Sequence, residues 1–490
     1  MLFNSIEFIF FFLPIIFIGY FILSNWKTSR IAKLWLVLGS LFFYGYWNYN
    51  YLLLILISIV INFVLGHFLI KYKHKIFIII GLFFNLGLLV YYKYMDFLIA
   101  NINALFSSNI SLLNIILPLA ISFFTFQQIS YLIDCYKSKA VQYTFIDYML
   151  YISFFPQLIA GPIVYHHELM PQFRDTSKAK LNFNNLALGI YIFSIGLFKK
   201  VILADNLSKV VLDGIKYIDT ITFFDAWTVI LSFTFQLYFD FSGYSDMAIG
   251  LALLFNIKLP INFYSPYKST NFQILVSRWH ITLSRFLNDY VLNPMSRSLT
   301  KRVYSKLPFA VHTDVKMSIN LILLFLLSGI WHGAGWNFII WGLLCGSYIV
   351  VYRFWRKAKI KLPTILAWGI TFLCFNIMVV FFRLEDLSQA LLMLKAMFGL
   401  NGFILPEQLA PFMNILTHIG FTFEATPLKD KYRALALIVL SLVIVLAFKN
   451  SSEKLNLFKP NLLNALFIII ILIYSIINLT NVSEFLYFNF

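Results

Sequence analysis

The hydrophobic residues of this 490-residue chain lie in long, nearly continuous runs that short polar or basic stretches separate. A helix needs about 20 apolar residues to cross the hydrocarbon core of a bilayer. The pattern therefore predicts an all-α, polytopic membrane protein with about 11–13 transmembrane or re-entrant helices. The predicted segments are 8–24, 32–48, 51–70, 76–92, 111–133, 145–165, 183–203, 226–256, 317–349, 364–383, 434–448 and 461–478.

Composition supports this class. Hydrophobic residues make up 60% of the chain and charged residues only 12%, whereas soluble domains are about 45–50% apolar and about 25% charged. The formal charge of +17 lies in short basic runs between apolar segments. Such runs orient membrane helices, so we expect a lipid environment and no nucleic-acid partner.

The basic runs predict which loops are cytoplasmic. Residues 258–316 contain nine Lys or Arg but only two acids, and residues 353–361 are also basic. Cytoplasmic loops carry such an excess, so segment 317–349 is expected to leave and return to the cytoplasmic side. The same rule predicts that both termini are extracytoplasmic.

Other sequence features predict no separate domain and no metal centre. We find no internal repeat, so residues 1–490 are predicted to form one membrane domain with an aromatic tail at 479–490. The three cysteines are far apart, which favours neither a zinc site nor a disulfide framework. His166 and His167 are adjacent, and adjacent side chains diverge on a helix. The first apolar segment is expected to remain as a membrane helix because no cleavage signal precedes it.

The first candidate for chemistry is His332, between Trp331 and Gly333 in a long apolar segment that continues to Asn337. An ionisable residue inside a membrane is costly, so it marks a candidate site. Its imidazole could take a proton from an attacking hydroxyl as a general base. A hydrogen-bonded histidine in helix packing is the alternative. Nearby glycines predict a turn or close helix packing.

A second candidate is Arg278-Trp279-His280 within 277–286, which predicts an amphipathic helix. His280 could contact the phosphates of a donor or support catalysis. The alternative is an interfacial helix whose basic face touches lipid headgroups.

A third stretch, 239–247, places Asp240, Tyr244, Ser245 and Asp246 inside an apolar segment. Two carboxylates in such a segment need cationic or imidazole partners, so a structural network is favoured over direct catalysis. A triad that uses Ser245 stays open, although no nucleophile-elbow pattern supports it. The run 155–162 contains Pro and Gly and predicts a break in the helix.

Taken in order along the chain, these motifs resemble the membrane-bound O-acyltransferase (MBOAT) family, in particular the bacterial branch that acetylates alginate or peptidoglycan. The resemblance rests on the motifs Met1–Ser5, Phe11–Pro14, Ser122–Gln127, Phe155–Pro162, Phe239–Asp246, Arg278–His280, Trp331–Gly333 and Phe381–Arg383.

The resemblance implies helices around a central funnel, with a thin floor between a cytoplasmic donor pocket and an external opening. His332 matches the essential histidine of the family, and His280 matches its second histidine. The implied donor is acetyl-CoA, with no bound cofactor. The implied acceptor is an extracytoplasmic SGNH- or GDSL-type O-acetyltransferase that modifies a polysaccharide.

The aromatic end Phe485–Phe490 resembles the C-terminal hexapeptide of this branch, in which a tyrosine is proposed to carry the acyl group. Here that residue is Tyr487. A phenol of pKa about 10 is a far better leaving group than an aliphatic alcohol, and a covalent relay divides one hard transfer into two easier ones. The alternative is an aromatic belt at the membrane interface.

Two other functions are compatible with the sequence. One is transfer of D-alanine to teichoic acid, a branch that typically lacks the C-terminal extension seen here. The other is a transporter or flippase for lipid-linked sugars, for which internal repeats would be typical.

Overall fold

A computed structural model describes residues 1–25, 29–46, 48–307, 312–407, 410–413, 417–418, 420–424, 428, 430–479 and 485–486. Within these ranges, seven helical stretches are long and apolar enough to cross a membrane. They are Glu7–Ser24, Asn50–Tyr72, Lys75–Phe106, Phe183–Ile215, Thr313–His332, Trp336–Lys357 and Thr364–Arg383. The bent pair Lys431–Ala447 and Ser451–Leu457 adds an eighth crossing if it counts as one span. The protein is a multi-pass membrane protein, which confirms the predicted class.

The prediction that segment 111–133 forms a single membrane-spanning helix is wrong. Helix begins at Ile121, and the preceding residues 108–118 are not helical. The Asp96 carboxylate accepts hydrogen bonds from the backbone N–H groups of Leu113 (2.7 Å) and Ile115 (3.3 Å). Pro118 follows and cannot donate a helical hydrogen bond. These bonds satisfy the backbone locally, so hydrophobicity alone does not produce helix there.

Two other boundaries differ from the sequence prediction. The polar stretch 101–110, which lies between the predicted segments 76–92 and 111–133, is helical as far as Phe106. Segment 145–165 is broken after Ser153 and again after Leu158. The second break confirms the break predicted for residues 155–162. The chain passes so close to itself there that a Cβ at Gly161 would lie 2.5 Å from the Cα of Gln157.

The chain divides into two compact units. Unit one comprises Met1–Phe198, Ser242–Asn262 and Lys454–Phe490. Its first helices are α1 (Leu13–Asn25), α2 (Ser29–Gly45), α3 (Asn50–Tyr72), α4 (Lys75–Leu89), α5 (Met95–Phe106), α6 (Ile121–Tyr136), α7 (Phe145–Ser153), α8 (Phe155–Leu158), α9 (His166–Arg174) and α10 (Phe183–Phe198). A π-helical stretch, Glu7–Phe12, precedes α1, and another, Val90–Tyr94, joins α4 to α5.

Buried amides connect α3, α4 and α6 inside unit one. Asn85 donates to the Asn62 side-chain oxygen at 2.6 Å, and Ser58 donates to Gln128 at 2.9 Å. All four side chains are buried. Hydrogen bonds of this kind hold helices together where lipid offers no hydrophobic driving force.

Unit two comprises Lys199–Phe241 and Phe263–Glu453. Its helices are α11 (Asp205–Ile215), α12 (Phe223–Leu254, whose later residues belong to unit one), α13 (Phe272–Arg278), α14 (Ile281–Phe286), α15 (Asn293–Arg302), α16 (Thr313–His332), α17 (Trp336–Lys357), α18 (Thr364–Arg383), α19 (Leu387–Met397), α20 (Ala410–Met413), α21 (Lys431–Ala447) and α22 (Ser451–Leu457, whose later residues belong to unit one). The last helix among the described residues, α23 (Leu462–Ile477), belongs to unit one.

Unit two also contains two short strands, which the all-α prediction did not include. Strand β1 (Phe403–Pro406) pairs in parallel with β2 (Phe421–Glu424), and Phe403 lies opposite Phe421. Their rings are 5.4 Å apart. The single-domain prediction for residues 1–490 stays a prediction.

Candidate active site

His332 is the last residue of helix α16, which ends where Gly333 takes an extended conformation. Helix α17 begins three residues later, at Trp336. The two helices run antiparallel, so the predicted turn near the middle of 317–349 is confirmed. Because α16 has 20 residues, it is roughly 30 Å long.

Glycines allow α16 and α17 to approach at backbone distance. A Cβ added at Gly329 would lie 2.2 Å from the backbone oxygen of Phe338, and one added at Gly342 would lie 2.3 Å from that of Phe325. A Cβ at Gly346 would lie 2.9 Å from the Cα of Ile322. Small residues at such positions are typical of tightly packed membrane helices. This packing fixes the end of α16 that carries His332.

We expect Gly329→Ala to lower the free energy of unfolding by about 1–3 kcal/mol, the usual cost of overpacking a filled interface. Gly369→Ala is the matched control, because Gly369 is also helical but has no atom within 4 Å of the added Cβ. Denaturant unfolding of the purified proteins measures both. Equal stabilities for the two variants would contradict the close packing of α16 on α17.

Aromatic rings surround the His332 imidazole. Its centroid lies 4.7 Å from that of Trp331, 4.8 Å from Trp341 and 5.4 Å from Phe382, all in edge-to-face geometry. His332 is buried, with 5% of its surface exposed. Such contacts orient the imidazole ring within an apolar enclosure.

Asn337 holds another part of this enclosure in place. Its buried side-chain amide donates to the backbone oxygen of Leu384 at 2.8 Å. Leu384 directly follows α18, whose residue Phe382 packs on His332. Asn337 therefore connects the start of α17 to the end of α18, which is a positioning role.

The prediction of one amphipathic helix over 277–286 is wrong. Helix α13 ends at Arg278, and α14 begins at Ile281. Between them His280 has φ +44°, a left-handed conformation that is uncommon for residues other than glycine. The Trp279 ring packs 5.1 Å from Phe263 and 5.6 Å from Phe375. Tertiary packing of this ring thus overrides the helical pattern.

His280 is buried, and its ring meets that of Phe241 edge-on at 4.8 Å. Burial lowers the pKa of His280 to about 3, because a low-dielectric environment disfavours the charged imidazolium. The imidazole is therefore neutral near pH 7. A neutral imidazole can donate and accept hydrogen bonds, but it offers no positive charge to a phosphate.

Asp240 belongs to a buried ion network whose cation is Lys200. Lys200 Nζ lies 2.7 Å from Asp240 Oδ1 and 2.9 Å from Asp205 Oδ1. All three side chains are almost fully buried. The sequence prediction of a structural network is consistent with this geometry, although it did not identify Lys200 or Asp205. The sequence did contain an indication of this network, since a lysine at the end of an apolar run is costly without a partner.

The network predicts that two substitutions differ in their effect on the free energy of unfolding. Lys200→Met removes the cation from two buried carboxylates, and we expect a loss of about 3–5 kcal/mol in the free energy of unfolding. Asp240→Asn should cost less, because Lys200 keeps its contact with Asp205. Unfolding of both purified variants measures the difference. Lost activity in Asp240→Asn with unchanged stability would instead place Asp240 in the chemistry.

The next turns of α12 lie in unit one and carry the remaining residues of this motif. The Ser245 hydroxyl accepts from the Asn262 side chain at 3.2 Å, and Asp246 is buried. Tyr244 is also buried, and its ring is 4.7 Å from Phe485 in the C-terminal tail. Tyr487 lies outside the described residues.

Unit two also contains a cavity of about 590 Å³ that combines aromatic and basic side chains. Its lining includes Phe272, Tyr348, Trp355, Arg356, Lys359 and Lys361. All three basic residues are exposed. An anionic ligand with apolar parts suits such a lining.

Comparison with known proteins assigns the chain. The sequence profile of the MBOAT, membrane-bound O-acyltransferase family matches residues 135–384, about half of the chain. The protein belongs to this family. It is therefore an O-acyltransferase, and the resemblance inferred from the sequence motifs is confirmed.

Three individual proteins are similar to the chain, two of them over most of its length. The peptidoglycan O-acetyltransferase of Helicobacter pylori is 43% identical over 530 aligned positions, covering 100% of this chain and 98% of that protein. "Probable alginate O-acetylase AlgI" of Pseudomonas aeruginosa is 36% identical, and the alignment covers 83% of this chain and 76% of that protein. The teichoic acid D-alanyltransferase of Bacillus subtilis is 29% identical, and the alignment covers 54% of this chain and 68% of that protein.

Within this MBOAT chain, the predicted site residues divide between the two units. Unit two holds Trp331, His332, Gly333 and Asn337 at the junction of α16 and α17. It also holds Asp240 and the Arg278–His280 motif. Tyr244, Ser245 and Asp246 lie in unit one. The roles of all these residues in catalysis stay predictions.

Proposed function

We propose that this acyltransferase moves an acetyl group from cytoplasmic acetyl-CoA across the membrane to an extracytoplasmic transferase, which O-acetylates peptidoglycan. The observation that carries the proposal is the full-length similarity to the peptidoglycan O-acetyltransferase of Helicobacter pylori. The buried histidine at the end of α16 supports it, since an enclosed imidazole suits proton transfer.

The proposed first step forms an acetyl ester on Tyr487. The phenol oxygen attacks the thioester carbonyl, and His332 accepts the phenolic proton. The C–S bond then breaks, and the proton passes from His332 to the departing thiolate of coenzyme A. The phenyl ester keeps transfer potential because a phenol is a good leaving group, so a serine of the partner transferase can take the acetyl group next.

Packing of the tail supports the participation of Tyr487. Phe485, two residues earlier, has only 1% of its surface exposed. Its ring lies 4.7 Å from Tyr244, which itself stacks on Phe3 at 4.9 Å. A belt at the membrane interface would leave such rings at the lipid surface, whereas Phe485 is anchored inside unit one.

The cavity in unit two supports an anionic donor on the cytoplasmic side. Its residues Thr270–Phe272, Arg356 and Lys359–Leu362 belong to, or directly follow, the two stretches that the basic-residue pattern predicts to be cytoplasmic. Arg356, Lys359 and Lys361 could pair with the phosphates of acetyl-CoA, and the aromatic walls could accept its apolar parts. The proposal places the protein in a bacterial cytoplasmic membrane with both termini outside.

Alginate-like polysaccharide is a second candidate acceptor, favoured by the similarity to the alginate O-acetylase. D-alanyl transfer to teichoic acid has weaker support, because that relative aligns with 54% of this chain. The transporter hypothesis has no support from the family assignment.

Deletion of the protein tests the proposed acceptor. We expect the base-released acetate of purified peptidoglycan to fall to background, and expression of the chain from a plasmid to restore it. Acetate on secreted polysaccharide should not change. The reverse pattern would favour the alginate-like acceptor and contradict the peptidoglycan assignment.

A further inference from the structure

Three side chains in unit one lie close together, although the sequence predicted that the two adjacent histidines among them would diverge. Asp134 lies in the last turn of α6, and His166 and His167 are the first two residues of α9. The potential ligand atoms of all three residues lie within 4.8 Å of one another. One ligand atom from each of the two adjacent histidines thus lies near one carboxylate.

The buried pair has the spacing of two ligands on one metal ion. His166 Nε2 lies 3.2 Å from Asp134 Oδ2, and the two side chains are only 1% and 6% exposed. Zinc binds such atoms at about 2.0–2.1 Å in tetrahedral geometry, which places neighbouring ligands about 3.4 Å apart. The pair therefore needs almost no movement to hold zinc.

The other nitrogen of His166 already has the support that a metal-bound histidine requires. Nδ1 lies 3.3 Å from the Tyr143 hydroxyl, and Arg174 packs over the Tyr143 ring at 4.9 Å. A second hydrogen bond of this kind fixes the orientation of a ligating imidazole and leaves Nε2 for the metal.

A hydrogen bond between Asp134 and His166 would by itself explain the buried pair. The third potential ligand, one ring nitrogen of the exposed His167, lies within 4.8 Å of the other two ligand atoms. Three ligands and an open side match zinc sites that keep water in the fourth position. Two imidazoles and one carboxylate favour zinc over magnesium or calcium, which prefer oxygen ligands.

We propose that Asp134, His166 and His167 bind a zinc ion. The ion connects the end of α6 to the start of α9 and involves none of the residues assigned to acyl transfer. The proposal therefore stands or falls independently of the proposed function.

The test uses the full-length protein in detergent, stripped with a chelator and then titrated with zinc chloride. We expect one zinc per chain by elemental analysis, and a visible absorption band when cobalt replaces zinc. His167→Gln is the main variant, because an exposed side chain can be changed without disturbing the fold. Asp134→Asn is the second, and His74→Gln, an exposed histidine outside the cluster, is the matched control.

His167→Gln and Asp134→Asn should each weaken zinc binding at least about tenfold, whereas His74→Gln should bind as the wild type does. Zinc should also raise the melting temperature of the wild type and of the control but not of His167→Gln. Absence of bound zinc in the wild type would overturn the site. Equal binding by all four proteins would also overturn it, because the zinc would then be adventitious.

Discussion

Replacement of His332 by phenylalanine is expected to reduce O-acetylation of the glycan by about 100-fold or more, the range typical for loss of a general base. Phenylalanine is similar in size to histidine and fits among Trp331, Trp341 and Phe382, whose rings surround the imidazole. The variant therefore removes the proton acceptor while keeping the packing at the end of α16. Acetate released from the purified glycan measures the loss.

The matched control for this variant is His74→Ala, which changes an exposed histidine at the start of α4. It should acetylate the glycan at the wild-type level. Immunoblots of isolated membranes should show equal amounts of all three proteins. Wild-type acetylation by the stably inserted His332→Phe protein would remove His332 from the chemistry.

Replacement of Tyr487 by phenylalanine should lower glycan acetylation at least about 100-fold, because no other group can substitute for an acylated nucleophile. The change deletes one hydroxyl and keeps the aromatic ring. If the tail acted only as an aromatic belt, phenylalanine would serve as well as tyrosine. Glycan acetate therefore separates the two interpretations of the tail.

Tyr474→Phe is the matched control, since Tyr474 lies in the last helix before the tail and is 52% exposed. This variant should retain wild-type acetylation. If Tyr487→Phe also retained it, the acetyl group would have to cross by a route that does not use the tail.

Hydrophobic runs predicted much of the helical structure because burial in lipid demands satisfied backbone hydrogen bonds. Segment 364–383 coincides with α18 (Thr364–Arg383). The prediction failed where local hydrogen bonds compete, as Asp96 does with the backbone of Leu113 and Ile115. A hydropathy pattern carries no information on such contacts.

The candidate site, like the fold, could be predicted only in part from the sequence. His332 was recognisable because a histidine in an apolar run is costly, and its glycine neighbours predicted the turn. The rings of Trp341 and Phe382 come to it from α17 and α18, and only the tertiary structure brings them together. Likewise, Asp240 required a partner, but Lys200 lies 40 residues away. The left-handed backbone of His280 follows from packing, so a helical pattern could not predict it.

The most direct test of the proposed acyl transfer is capture of the acetyl group on the protein itself. Purified protein is incubated with labelled acetyl-CoA in the absence of a partner transferase, and peptides of the C-terminal tail are examined by mass spectrometry. The proposed transfer predicts one acetyl group on Tyr487 in the wild type and none in His332→Phe. A wild-type tail without acetyl, or equal labelling in the His332→Phe protein, would contradict it.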